Sequence, residues 1–398
     1  MASLDQSLKT RYTLSMPKSP EQPPLPSPAD EFDELTRLTQ RRRQLIEEAA
    51  ASASPTDFDQ ALTEAERMLP DLIRRREAIK EKLWPFAELA KERLEEQYNE
   101  NIATFEIAKV FEPGTREIKG IDRNLYAVPS FAEVVEALRD MREIVEQKVK
   151  QGLTRIQLTP IAMPQDELRA RFKARLLAHY VDMPDLADAT KRIPDPTKTK
   201  LFATTEKSSD PKVPLALDTS DPLFTANEYE AADVNGTVVY YPKRFDPQNH
   251  GGKTKAEVIA EVGGWQIILT EDNPILAAKN RGTTKHARKQ LEAGKNSNEY
   301  LELLNTDPQY FHESGFTTED WLTYALILLE TKNQVLDDWQ GKGKISRNTG
   351  QYFPARGYVP LAHFYRDSRR AYLYWDVPAF AGDHVSARSA VRVRRKKP

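Results

Sequence analysis

From Asp30 onward, apolar residues recur at helical spacing. Leu35, Leu38, Leu45 and Ile46 make one stripe among Arg41, Arg42, Arg43, Glu47 and Glu48, the arrangement of an amphipathic helix. A run of Ala and Ser ending in Pro55 breaks it. A second stretch carries Leu62, Ala65, Leu69, Leu72, Ile79, Leu83, Phe86 and Leu94 at three- and four-residue steps, and Pro70 and Pro85 are placed to kink or divide it. Each stretch has one face to bury. That predicts an antiparallel helical hairpin, a coiled-coil oligomer, or one helix packed on the rest of the chain.

Ser130 and Glu133 form a capping box ahead of Phe131, Val134, Val135, Leu138, Ile144, Val145 and Val149, and Gly152 ends that predicted helix. Residues 155–158 alternate as a short strand, and 167–180 form a helix with Arg169, Arg171, Lys173 and Arg175 on one face. A stretch rich in Pro, Thr, Lys, Asp and Ser follows and reads as a linker. After Leu223 the pattern turns to strands. Asn235-Gly236 is a hairpin-type turn before residues 237–241, Gly263-Gly264 separate a helix at 255–262 from a strand at 265–269, and Thr317 with Asp320 cap a strong helix. The pattern divides the chain into a Pro-rich disordered tail (1–29), a helical module (30–183), a linker (184–221), an α+β domain (222–393) and a basic tail (394–398).

Near the C-terminus the periodicity is lost. Residues 369–388 hold large aromatic and polar side chains between regularly spaced Arg369, Ala371, Pro378, Val385 and Arg388. Tyr, Trp, Asp, Ser and Gly are paratope-like chemistry: rigid amphipathic rings beside small polar groups that adapt their hydrogen bonds.

That spacing resembles the variable region of formylglycine-generating-enzyme-like C-type lectin domains, the kind diversified by retroelements. The family runs Arg-x-Ala, six residues, Pro, six residues, Ile or Val, then Gly-Phe-Arg, and Arg369, Ala371, Pro378, Val385 and Arg388 fit it without a gap. Leu373 and Ala381 stand where the family often has Arg, and Ser386-Ala387 where it has Gly-Phe. The upstream Gly-Gly-Ser-Trp is missing, with Gly357 to Phe364 in its place. The match covers about twenty residues. The resemblance implies a C-terminal C-type lectin-like domain in which the first and last strands pair, placing Val238 to Tyr240 beside Ala390 to Val393. The closed order of elements from Leu223 to Val393 predicts that the last ~175 residues fold alone. The resemblance assigns contact with a protein or other macromolecular ligand to Phe364, Tyr365, Asp367, Ser368, Tyr372, Tyr374, Trp375, Asp376, Phe380, Asp383 and His384, and a framework role to Arg369, Ala371, Pro378 and Arg388. Adenine-directed mutation of Asn codons reaches most of these aromatic and polar types but not Trp, so Trp375 has another origin.

Catalysis finds no support. The chain has no Cys, which removes disulfides, thiolate metal sites and the cysteine chemistry on which the enzymes of that family depend. There is no Gly-x-Ser-x-Gly elbow. Gly251-Gly252-Lys253-Thr254 lacks the first Gly of a phosphate loop, since Pro247 stands there. His179, His250, His286, His312, His363 and His384 show no metal-ligand spacing, so no metal or cofactor is expected. Calcium stays open through Asp337, Asp338, Asp376 and Asp383. A net charge of −2 argues against a protein built around nucleic acid. No apolar run reaches the ~18 residues of a membrane span, and the N-terminus has no secretory pattern, which leaves the compartment open and cytoplasmic by default. The expected function is non-catalytic ligand binding. The alternatives are an assembly protein that oligomerises through its N-terminal helices, with self-association there, and a nucleic-acid binder using Arg169 to Arg175 and the basic tail.

Overall fold

The computed structural model describes residues 28–52, 54–84, 86, 88–179, 182–184, 192–194, 222–339, 343–365 and 370–394. The chain divides into two compact units, Met1–Trp84 and Pro85–Pro398, and is of the mixed α+β class.

In the first unit, α1 (Pro28–Ala51) and α2 (Pro55–Leu83) pack on each other. Leu45 and Ala49 face Ala65 and Leu72 as the buried set. Arg42 Nε donates to the Ala65 carbonyl at 3.2 Å and Arg75 reaches Glu34 at 2.8 Å, so the helices run in opposite directions. α2 passes through Pro70 undivided. That position is exposed, and the carbonyl freed there can be hydrated. The second apolar stretch nevertheless ends early, because Phe86 and Leu94 belong to the second unit. Of the expected tail, 1–29, only the last two residues are described, and they open α1. Pro85 lies outside the described residues, as do 395–398 of the basic tail.

The second unit opens with α3 (Lys91–Ile107), an antiparallel pair β1 (Glu117–Lys119) and β2 (Leu125–Ala127), α4 (Phe131–Asp140), α5 (Arg142–Lys150), β3 (Arg155–Thr159) and α6 (Gln165–His179). The capping box of Ser130 and Glu133 is present, but the predicted helix divides at Met141, whose φ of −113° leaves the helical region. The small strands β4 (Asp182–Pro184) and β5 (Arg192–Pro194) pair with each other. The rest of the expected linker lies outside the described residues. Next come β6 (Leu223–Thr225), β7 (Val239–Tyr240), α7 (Lys255–Val262), β8 (Gln266–Thr270), the hairpin β9 (Thr284–Lys285) and β10 (Arg288–Lys289), α8 (Ser297–Thr306), β11 (Glu313–Gly315) and α9 (Thr318–Lys332). The chain ends in β12 (Asp338–Trp339), β13 (Ile345–Arg347), β14 (Gln351–Tyr352), β15 (Val359–Tyr365), β16 (Arg370–Asp376), β17 (Val385–Ala387) and β18 (Ser389–Val393).

Two sheets carry the unit. One has the order β11, β18, β8, β3; the other runs β17, β13, β15, β16, β6, with β12 alongside β15. Between them α9 touches β3 and β15 as well as α3 and α6. It is buried from Thr318 to Leu329, which accounts for its apolar residues on every side. Thr317 and Asp320 close its capping box, and Asn333 ends it in the left-handed region. Buried ion pairs tie the layers together. Lys255 meets Asp233 at 2.6 Å and Glu319 at 3.1 Å, Arg392 meets Asp320 at 2.7 Å, and Lys148 meets Glu313 at 2.7 Å.

The expected pairing of the ends is corrected. Residues 390–393 pair with β8 and, on the other side, with β11, whereas β7 pairs with β14. β8 is buried along its whole length, and such a strand can take a neighbour on both sides. β7 has only two residues, and they are taken up by β14 on one side and by Lys253 on the other. The expected boundary at 222 is corrected for the same reason: β3, from the supposed helical module, completes this sheet by pairing with β8. β3 is the edge, and α3 covers it. Gln97 Oε1 accepts from Ile156 N at 2.8 Å, Asn101 Oδ1 accepts from Leu158 N at 2.9 Å, and Asn101 Nδ2 donates to the Ile156 carbonyl at 3.4 Å. Two amides one helical turn apart thus take the place of a neighbouring strand.

Candidate functional site

The two longest strands, β15 and β16, set the geometry of the C-terminal surface. Their register puts His363 opposite Tyr372, Tyr365 opposite Arg370, Leu361 opposite Tyr374 and Val359 opposite Asp376. Because side chains alternate along a strand, these share one face. Phe364, Ala362, Ala371 and Leu373 share the other, where each is at most 2 % exposed. Phe364 lines the inner wall with Phe172, Leu176 and Trp321. It was expected on the contact surface. Its place one residue from Tyr365 sends it inward instead.

The outer face is aromatic. Tyr372 stacks on His363 (centroids 5.3 Å, planes 9° apart), and Trp339 from β12 meets His363 at 5.4 Å and Tyr365 at 4.7 Å. Tyr374 stands edge-on to His363 at 5.4 Å, and Phe224 from β6 lies 5.4 Å from Tyr372. Tyr365, Tyr372, Tyr374 and Asp376 are half-buried, and Phe224 is exposed. Trp375 is on the opposite side of its strand and is half-buried, stacked on Tyr358 at 3.5 Å.

The loop between β16 and β17 adds Phe380, Asp383 and His384, all exposed. His384 lies 5.9 Å from Trp339 and 6.3 Å from Phe380, and Asp383 pairs with Lys279 at 3.1 Å. This loop is held by its backbone: the Pro378 carbonyl accepts from Ser297 N at 2.9 Å, and the Phe380 carbonyl accepts from Arg347 Nη2 at 3.0 Å. Arg347 is itself buried, gripping Ser297 Oγ with its other nitrogen.

The framework residues sit below this surface. Ala371 is fully buried, and its N–H donates to the Pro222 carbonyl at 2.9 Å. Arg388 is buried against Asp337 and donates to the Pro274 carbonyl at 2.5 Å. Burial raises the Asp337 carboxyl above its ordinary range, and Arg388 pulls it back. Pro378 is half-buried. Asp367, Ser368 and Arg369 lie outside the described residues.

His363 is the most unusual member of the outer face. It is 4 % exposed, and its Nδ1 has no hydrogen-bond partner. Burial first, and the neighbouring His384 second, push its pKa down to about 4, so the ring is neutral at pH 7. Sequence reasoning missed His363, Trp339 and Phe224. The two-residue period of Leu361, His363 and Tyr365 was the available signal for the first. The other two reach the site from distant strands.

The remaining candidates resolve differently. Asp337, weighed for calcium, is taken up by Arg388 and by Trp321 Nε1 at 2.8 Å. Among the described residues no three His, Asp or Glu side chains gather to hold a metal ion, and no helix is long and apolar enough to cross a membrane. On α6, Arg169 is buried against Asp166, Arg171 pairs with Glu167 at 2.8 Å and Arg175 with Glu330 at 2.7 Å. No protein-family model matches this chain, and no curated protein and no solved structure matches it either.

Proposed function

We propose that this protein is a non-catalytic binder that presents the outer face of β15 and β16, with the β16–β17 loop, to a macromolecular ligand. One observation carries the reading. On this pair of strands Ala362, Phe364, Ala371 and Leu373 are buried on the inner face, while Tyr365, Tyr372, Tyr374 and Asp376 are half-buried on the outer face beside the buried Val359, Leu361 and His363. Tyr365, Tyr372 and the exposed rings of the loop can change without reaching the buried inner residues, and aromatic side chains there supply contact area at low entropic cost. The spacing of Ala371, Pro378, Val385 and Arg388 supports the finer version, in which the domain is C-type lectin-like and the face is a retroelement-diversified variable region.

Two measurements test this. Replacing Tyr365, Tyr372 and Phe380 together by Ser should lower stability by no more than about 1–2 kcal/mol, because surface substitutions cost little. Collapse of the triple variant would make these rings core and end the reading. Sequencing around the gene tests the finer version: a reverse transcriptase beside a near-copy of codons 364–388, differing mainly at adenines, is expected, and invariance of these codons across isolates argues against it.

A second reading has an observation of its own. In the first unit Ile46, Phe58, Leu69 and Ile73 remain 38–54 % exposed, an apolar excess for two helices. Self-association through α1 and α2 would make the protein an assembly module as well as a binder. The nucleic-acid reading is weaker, since the arginines of α6 already face carboxylates.

A further inference from the structure

We propose that Lys255 and Asp233 condense into an intramolecular amide, with Glu319 carrying the proton. The three side chains come from the start of α7, the loop before β7 and the start of α9, and all are fully buried. Lys255 Nζ stands 2.6 Å from Asp233 Oδ2 and 3.1 Å from Glu319 Oε1. An amine this near one carboxyl oxygen lies about 3–3.5 Å from the carboxyl carbon, the separation of a near-attack geometry.

Each of the three is also held from outside the group. Lys255 Nζ donates to the Met163 carbonyl at 2.5 Å, and Asp233 Oδ2 accepts from Gln165 N at 2.7 Å. Glu319 is gripped at both oxygens, Oε1 by the Tyr240 hydroxyl at 2.6 Å and Oε2 by Gln351 Nε2 at 2.8 Å. Side chains locked in this way keep the reacting atoms together. Asp233 Oδ1 does not fit a merely structural ion pair, whose buried oxygens accept hydrogen bonds. It is buried and has no hydrogen-bond partner among the described residues. In the amide it becomes the oxygen of a neutral group, which costs less to leave unpaired than an ionised one.

The step balances without a co-reactant. A proton passes from the ammonium to Asp233 Oδ2 along their 2.6 Å bond. Both groups are then neutral, and surroundings without water favour neutral groups. The amine lone pair attacks Cγ. Glu319 Oε1 takes a proton from the nitrogen as the Nζ–Cγ bond forms and returns it to Oδ2, to which Gln165 N already donates. The Cγ–Oδ2 bond breaks and one water leaves. Nothing is oxidised or reduced, and Glu319 ends as it began. The product is a covalent tie between the loop and α7, in a chain that has no cysteine. Tyr229, just ahead of Asp233, donates its hydroxyl to the Tyr374 carbonyl at 2.9 Å, so the tie braces the segment that supports β16.

Mass spectrometry of the folded full-length protein tests this directly. Expected is a mass one water below that of the sequence, and a digest containing a branched peptide that joins Asp233 to Lys255. A succinimide formed at an aspartate loses the same water, but hydroxylamine opens a succinimide and leaves an amide alone. Glu319→Gln, sampled from the onset of expression, should accumulate the branched peptide at least about a hundredfold more slowly than wild type, since it lacks the proton carrier. Folded wild type that keeps its full sequence mass on prolonged incubation overturns the proposal, whether or not the variant folds. So does a water loss that hydroxylamine reverses or that maps to other residues, and so does a folded Glu319→Gln that links at the wild-type rate.

Discussion

His363 shows how much one side chain can owe to its neighbours. Boxed by Tyr372, Trp339 and Tyr374, it titrates at about 4 rather than 6.5. The unfolded chain therefore takes up the proton first on acidification. The contribution to stability is fully present above pH 6.5, falls as pH drops toward 4, and changes no further below that. Chemical denaturation of wild type and His363→Phe across this window should show wild type losing about 3 kcal/mol relative to the variant. Parallel curves would mean that His363 is solvated. Arg388 is the converse case, a charge whose removal strands its partner. Arg388→Ala leaves Asp337 buried with only Trp321 as a donor, and urea unfolding should register a loss of about 3–5 kcal/mol.

At the scale of elements, α3 is bound to β3 by the Glu100–Arg155 ion pair and by two side-chain amides that reach its backbone. Changing Gln97 and Asn101 together to Leu leaves the Ile156 and Leu158 N–H groups buried and unpaired, which should cost about 1–3 kcal/mol for each. Hydrogen exchange at those two amides should quicken before exchange elsewhere in the sheet; protection equal to wild type would show that the amides are not what seals the edge. This contact also marks where sequence reasoning stops. Capping boxes at Ser130 and Thr317 were legible because donor and acceptor lie three residues apart. The Gln97 contact joins positions 59 apart, and no local pattern carries such information. Strand partners failed for the same reason. That 389–393 is a strand could be read from its alternation, but which strand it lies beside depends on how α9 is wrapped. In the candidate site, composition singled out Tyr365, Tyr372, Tyr374 and Asp376, which β15 and β16 bring onto one half-buried face, while the two-residue period that turns Phe364 inward was passed over.

At the scale of the whole molecule, the second unit begins near residue 85, not at 222. A protein spanning 85–398 should melt cooperatively with native near-ultraviolet dichroism. One spanning 222–398 lacks α3 and β3, exposes the apolar length of β8, and should aggregate or stay molten; a sharp transition for the shorter chain would refute this account of the sheet. Removing residues 1–84 should leave the remainder folded and, if α1 and α2 associate, reduce its mass by light scattering beyond the mass of the deleted segment. One further consequence lies in how the β16–β17 loop is moored. Ser297 and Arg347 hold it by the carbonyl oxygens of Pro378 and Phe380, atoms that every amino acid possesses. These two moorings are blind to the side chains they carry past, so heritable change at 379–384 can leave the course of the loop to be inherited intact.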